Sequence, residues 1–384
     1  GISLDGLRET HDKFRRLEGA FDRSLAAVRL LRERGVKVGL RYTMTALNAH
    51  DFAPLLDLMR TERVDKFYFS HLNYAGRGNI HRGKDAQFQA TRDALDLLFE
   101  RAWQLVAPAE LVANSCLFVM GSEGRGEQLL KTDQDNGLIL RDGYAPPADL
   151  DAICARFSQA LADFGYPECP GRIMVSNPDW RAPLAEFSRQ LREWLILPDP
   201  DSLMKLAIFM DAHAVCGDAG LLRQAREAVL ALAPDNQAVL ARFASAITAF
   251  GESQGWWNKL FSLGEADSGL DLKKEGIFPL VHGVRSLALA RQLAETGTVA
   301  RIAALVADGA LDATMGAELT DSLSFFMGLK LKAGLAEIDT GRAVTGRIDP
   351  AQLSPLERDL LKDTLAAVKR FKALLRQRFH LDAM

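Results

Sequence analysis

The chain has 384 residues, a length that suits two or three domains better than one. Its 48% hydrophobic and 25% charged residues are the composition of a globular protein with sizeable cores, and no run of apolar residues is long enough for a membrane span. The net charge of −3 gives no field that would draw nucleic acid or an anionic membrane, so neither is an expected partner. Cys116, Cys154, Cys169 and Cys216 are too scattered for a structural zinc or iron–sulfur site. They read as buried thiols of a reducing compartment, and a cytoplasmic location is expected.

The opening "GISLDG", strand-like and without a methionine, is expected to lie inside a longer fold. Residues 1–105 then alternate strand and helix signals. "FDRSLAAVRLLRERG" puts Leu25, Val28, Leu31 and Arg32 at helical spacing and stops at Gly35. "VKVGLRYT" alternates as a strand with Val36, Val38 and Leu40 on one face. "NAHDFAPLLDLMRTE" reads as a helix, "DKFYFSHL" as a strand, and residues 87–105 as a third helix. Helix-length crossovers between strands imply a parallel sheet.

"APAEL" at 107–111 reads as a linker into a second α/β unit. There "SCLFVM" and "NGLIL" are strands, and "DLDAICARFSQALADF" is a helix with Leu150, Ile153, Cys154, Phe157, Leu161 and Phe164 on one stripe. "GRIMVSN" is expected to be a further strand. Beyond Pro183 the strand signal fades. "SLMKLAIFMDAHAVC", "AGLLRQAREAVLAL", "NQAVLARFASAITAF" and "LERDLLKDTLAAVKRFKALLRQRF" all read as amphipathic helices, the last through Leu361, Leu365, Val368 and Leu375. The expected architecture is α/β plus α. A partial βα segment (1–106) precedes an α/β domain (107–182) and a C-terminal helical bundle (183–384).

The chemistry concentrates in "VMGSEGRGEQLLKTDQDNGLIL", residues 119–140. Asp133 and Asp135 sit at i and i+2 where a strand begins, so both carboxylates project from one face. Two such acids repel unless a cation lies between them, and Mg²⁺ suits one or two carboxylates plus substrate phosphates. Gly121 and Ser122 end a strand and open a helix, where glycine lets backbone N–H groups approach a phosphate and Ser122 adds a hydroxyl. Arg125 offers a forked cation for phosphate oxygens. These parts fit nucleotidyl transfer, with Asp133 and Asp135 as catalytic metal ligands and a nucleoside triphosphate at Gly121, Ser122 and Arg125. Lys273, Lys274 and Arg285 are candidate triphosphate or substrate contacts, or else a solvated basic face of a helix. Trp256 and Trp257 read as a packing pair.

"GSEGRGEQLLKTDQDNGLIL" resembles the signature of the polymerase-β-type nucleotidyltransferases. It is closest to bacterial proteins related to the catalytic domain of the PII-protein uridylyltransferase. The likeness extends through "MVSNPDWR", "FMDAHAVCGDAGLL" and "LDLKKEGIFPLVHGVRSLAL", and covers about residues 108–384. It implies phosphate contact at Gly121 and Ser122 and metal ligation at Asp133 and Asp135, with Arg125 and Glu127 in the same motif. The superfamily has a third carboxylate on a later strand. "GRIMVSN" offers none, leaving Asp179 nearby and Asp211 in a helix-like segment.

"ISLDGLRETHDKFR", "GAFDRSLAAVRLLRERGVKVGLRYTMT" and "DKFYFSHLNYAGRG" resemble instead the C-terminal part of a radical-SAM enzyme barrel. The relatives in question help make the specialised haem of a nitrite reductase. The resemblance implies Ser3 and Asp5 near the SAM ribose and Arg41 near its carboxylate. The cluster motif CxxxCxxC is absent, so SAM and an iron–sulfur cluster would be cofactors only with a missing N-terminal half. A longer fusion, or two gene fragments joined, would explain the combination.

The expected function is Mg²⁺-dependent transfer of an NMP group, uridylyl or adenylyl, from NTP to a protein or small-molecule acceptor in signalling. A truncated radical-SAM enzyme of haem biosynthesis and a catalytically silent nucleotide-binding signalling protein are the alternatives.

Overall fold

A computed structural model describes residues 1–71, 88–128, 133–196, 199–232, 236–249, 269–341 and 345–383. The fold is mixed α/β and mostly helical, with small sheets, and divides into two compact units, Gly1–Arg101 and Ala102–Met384. Trp256 and Trp257, and the "NYAGRG" part of the N-terminal likeness, lie outside the described residues.

In the first unit, β1 (Ile2–Ser3), β2 (Gly39–Met44) and β3 (Lys66–His71) form a parallel sheet in the order β1-β2-β3. Helices Ala20–Glu33 and Phe52–Thr61 make the crossovers. The core joins Leu40, Tyr42 and Met44 of β2 to Leu25 and Val28 of one helix and Phe52 and Leu55 of the other. Asp12 accepts from the N–H groups of Gly19 and Phe21 at 2.8 and 2.7 Å, which caps Ala20–Glu33 and lowers the Asp12 pKa. No barrel closes among the described residues. Val36 does not join the strand. Gly35 turns at φ 71, the Val36 N–H bonds back to Leu31, and Val36 is left 48% exposed.

In the second unit the sheet order is β6-β5-β4-β7. The central β4 (Ser115–Val119) and β5 (Asn136–Leu140) are antiparallel and wholly buried, which is why they read as unbroken apolar runs. β6 (Arg181–Pro183) joins β5 in parallel, and β7 (His213–Gly217) joins β4 antiparallel. Three sequence expectations are corrected here. Residues 109–113 form a short helix with Leu111 buried, so "APAEL" is not simply a linker. "GRIMVSN" is a bend and turn segment, because Ile173 and Val175 bond to the backbone and side chain of Asn136 rather than to a strand ladder. "SLMKLAIFMDAHAVC" is a helix only as far as Phe209; a turn at 210–212 leads into β7, whose short apolar run is ambiguous by pattern alone.

The remainder is helical around Phe278–Ala290, which is buried on nearly every side as an all-round apolar helix must be. Gly283 permits that burial: a Cβ there would stand 2.4 Å from Leu375 and 2.6 Å from Phe371 of helix Pro355–Arg378. β8 (Leu270–Asp271) and β9 (Arg347–Ile348) form a small antiparallel pair. None of the described helices is long and apolar enough to cross a membrane.

Candidate nucleotide and metal site

β4 runs through Met120 into a four-residue helix, Gly121–Gly124. The Met120 N–H donates to the Asp135 carbonyl at 2.8 Å, which carries the β4–β5 pairing one residue past both strands. Gly121 has φ 61, and a Cβ built on it would lie 2.6 Å from Asp135 Oδ2. Glycine is thus required there twice, for the left-handed backbone and for the carboxylate beside it. At Gly124 a Cβ would meet the Asp211 carbonyl at 2.1 Å, so the turn lies directly on that backbone.

The acids are set by the residues between and after them. Gln134 and Asn136 are fully buried. The Gln134 side-chain amide donates to the Ser158 and Tyr166 carbonyls, both at 2.9 Å, and its backbone N–H donates to Pro167 at 2.9 Å. Asn136 Oδ1 accepts from the Val175 N–H at 2.8 Å. Even-numbered side chains therefore anchor the segment inward, while Asp133 and Asp135 stay partly exposed on the other parity. The two amides were inside the quoted motif, and their alternation with the acids was the signal that could have identified them.

Burial pushes the Asp135 pKa up to about 6, opposed by a hydrogen bond from the Cys169 thiol, reinforced by the charge of Asp133, and opposed by Lys273 and Arg125. Asp133 is raised by burial and lowered by Lys273. Two desolvated carboxylates that repel each other are a hard-oxygen donor set suited to Mg²⁺. No group of three His, Cys, Asp or Glu able to hold a metal occurs among the described residues.

Asp211 has a different task. It is fully buried, and its oxygens accept from Arg125 at 2.6 Å, from Arg301 at 2.7 Å, and from Arg285 through two nitrogens at 3.0 and 2.5 Å. Burial opposes its charge, but the three guanidinium groups hold its pKa well below the usual carboxylate range. Arg125 also donates to Glu127 at 2.7 Å, and Glu127 accepts from the Thr298 N–H at 2.7 Å. The fork expected to meet phosphate oxygens is engaged instead in tying the glycine turn to the helical part. Arg285 is neither a solvated basic residue nor open to a triphosphate: it is buried and also bonds His282 Nδ1 at 3.0 Å.

Lys273 starts a π-helical turn, Lys273–Ile277. Its side chain reaches solvent yet is ringed by protein, and its pKa falls to about 8 through desolvation and Lys330, against the pull of Asp135, Asp133 and Asp271. It is thus within electrostatic reach of both acids. The Lys274 N–H donates to Asp271 at 3.1 Å. In the first unit, Ser3 pairs with Arg41 across β1 and β2; Arg41 is exposed and lies over the Tyr68 ring. Asp5 is buried and ion-paired with Arg15, and its N–H donates to His11 Nδ1 at 3.0 Å.

Residues 81–201 match the family described as Putative nucleotidyltransferase DUF294. Residues 237–379 match the family described as Putative nucleotidyltransferase substrate binding domain. The two matches follow one another in the order of the sheet and the helical part described above. Part of it is also similar to radical-SAM haem synthases. Pre-heme d1 synthase of Dinoroseobacter shibae is 54% identical over 102 residues, which are 27% of this chain and 25% of that protein. Fe-coproporphyrin III synthase of Methanosarcina barkeri is 43% identical over 121 residues, 30% of each chain. The chain therefore spans less than a third of either relative.

Proposed function

We propose that the protein transfers a nucleoside monophosphate, uridylyl or adenylyl, from a nucleoside triphosphate to a hydroxyl of a protein or small-molecule acceptor in signalling. The observation that carries this reading is the contact of Gly121 with the Asp135 carboxylate, which brings the phosphate-type turn and the acid pair together. Asp133 and Asp135 would hold Mg²⁺, which supplies neutralisation of the triphosphate and activation of the acceptor oxygen when bound. Backbone N–H groups at Gly121 and Ser122 would hold phosphate oxygens. The acceptor oxygen bonds to Pα as the Pα–O bond to pyrophosphate breaks. Pyrophosphate carries away the electron pair, and the hydroxyl proton passes to water. Glu127, Arg125 and Asp211 keep the turn in register with the helical domain, so positioning and charge do most of the work. Lys274 would lie at the edge of the triphosphate site beside Lys273.

Incubation with α-labelled NTPs, Mg²⁺ and candidate acceptors tests the reading. Label transfer with pyrophosphate release is expected, and Asp133→Asn should lower it by about a hundredfold or more. Turnover retained in Asp133→Asn would overturn the assignment. Nucleotide binding without turnover in the wild type would favour a catalytically silent signalling protein.

The similarity of part of the chain to haem synthases, together with the resemblance carried by the motifs in residues 1–105, supports a second reading, in which that part is a segment of a radical-SAM-like haem-biosynthesis enzyme. Ser3, Asp5 and Arg41 would then be remnants of a SAM site. SAM and an iron–sulfur cluster would be needed for that activity, with cluster ligands from outside this sequence.

A further inference from the structure

We propose that Lys330 is a phosphate-binding residue of this site, holding with Lys273 the β- and γ-phosphates of the NTP and hence the leaving pyrophosphate. The proposal rests on the nucleotidyl-transfer reading above and adds to it a residue from a helix that no motif marks.

Lys330 lies on helix Ala313–Asp339. That helix is seated against the Lys273–Ile277 turn by Phe326, whose ring fills the place of a side chain at Gly276: a Cβ there would be 2.4 Å from the ring. Lys330 is four residues on from Phe326 and so emerges on the same helix face one turn further along. Lys273 opens the same turn three residues before Gly276, and its ammonium group is within electrostatic reach of Lys330. The Lys330 stem is also confined from the side. Gly346, at φ 66, lies against it, and a Cβ there would stand 3.4 Å from both Cγ and Cε. The 345–346 segment is fixed in turn by Glu337, which accepts from the Thr345 and Gly346 N–H groups at 2.8 and 3.2 Å.

The charges around these ends are ordered. Lys330 is within electrostatic reach of Lys273, Arg125 and Asp271, while Lys273 is within reach of Asp133 and Asp135. Cations thus extend from the glycine turn to the acid pair. Arg125 is neutralised by Glu127 and Asp211, whereas Lys330 forms no ion pair with a carboxylate among the described residues. Two neighbouring, partly desolvated ammonium groups repel each other, and a polyphosphate between them would remove that repulsion.

Equilibrium binding of the four Mg–NTPs and their monophosphates to the full chain tests the proposal. Lys330→Met should weaken triphosphate binding by about tenfold and monophosphate binding by less than about twofold, and Lys330→Arg should restore most of the loss. Lys332→Met, two residues on and so turned to the other side of the helix, where it pairs with Glu357, should bind like the wild type; thermal unfolding checks that each variant is folded. Unchanged triphosphate binding in folded Lys330→Met, or equal losses for tri- and monophosphate, would overturn the role of Lys330 alone. A wild-type chain that binds none of the four NTPs would overturn the nucleotidyltransferase reading itself.

Discussion

Gly121 carries two constraints that meet in one atom, since a methyl group there would both strain a left-handed backbone and press on Asp135 Oδ2. Gly121→Ala should therefore cost about 1–2 kcal/mol of stability in a denaturant titration and also displace the carboxylate. Loss of Mg–NTP binding at retained fold is the expected outcome; wild-type binding would show that the turn does not contact nucleotide. At this scale the sequence was readable where neighbours in the chain are neighbours in space. The spacing of Asp133 and Asp135 and the glycine before Ser122 needed only local geometry. Arg125 was misdirected because its partner Asp211 lies 86 residues away, and Arg285 because the same carboxylate lies 74 residues from it. A guanidinium read without its partner looks like a phosphate ligand.

Among the elements, the wholly buried apolar strands β4 and β5 and the helices with a one-sided stripe followed from pattern alone. β7 did not, because it is only partly buried and its run continues the apolar pattern of the helix that ends at Phe209, so its strand state is set by pairing with β4. Helix Phe278–Ala290 is joined to helix Gln237–Ala249 by His282, which donates from Nε2 to the Phe243 carbonyl at 2.7 Å and accepts from Arg285 at Nδ1. Burial, then the neighbouring Arg285, lowers the His282 pKa to about 3 from 6.5. The unfolded chain therefore binds a proton below the ordinary histidine pKa that the folded chain refuses until much lower pH. Stability is lost as pH falls through this window, by up to about 1.4 kcal/mol per pH unit. Between pH 7 and about pH 5.5 the wild type should lose about 1 kcal/mol more than His282→Gln, whose amide can keep both hydrogen bonds. Equal pH dependence of the two in urea titrations would contradict a neutral, interhelical His282.

For the molecule as a whole, the candidate nucleotide site lies entirely within Ala102–Met384, where both nucleotidyltransferase-family matches have most or all of their residues. The first unit has its own core, and part of the chain is similar to haem synthases of which it spans less than a third. The presence of two unrelated likenesses was legible from the residues, because each is carried by contiguous motifs. The Asp211 cluster was not, since it gathers residues from 125 to 301 and exists only once the chain has folded. The central claim, a metal–nucleotide site at Asp133 and Asp135, is tested most directly with Mn²⁺ in place of Mg²⁺. Electron paramagnetic resonance titration in the presence of NTP should show one bound Mn²⁺ per chain in the wild type, with affinity lowered by about tenfold or more in folded Asp133→Asn and Asp135→Asn. Equal Mn²⁺–NTP affinity in all three proteins would contradict the account.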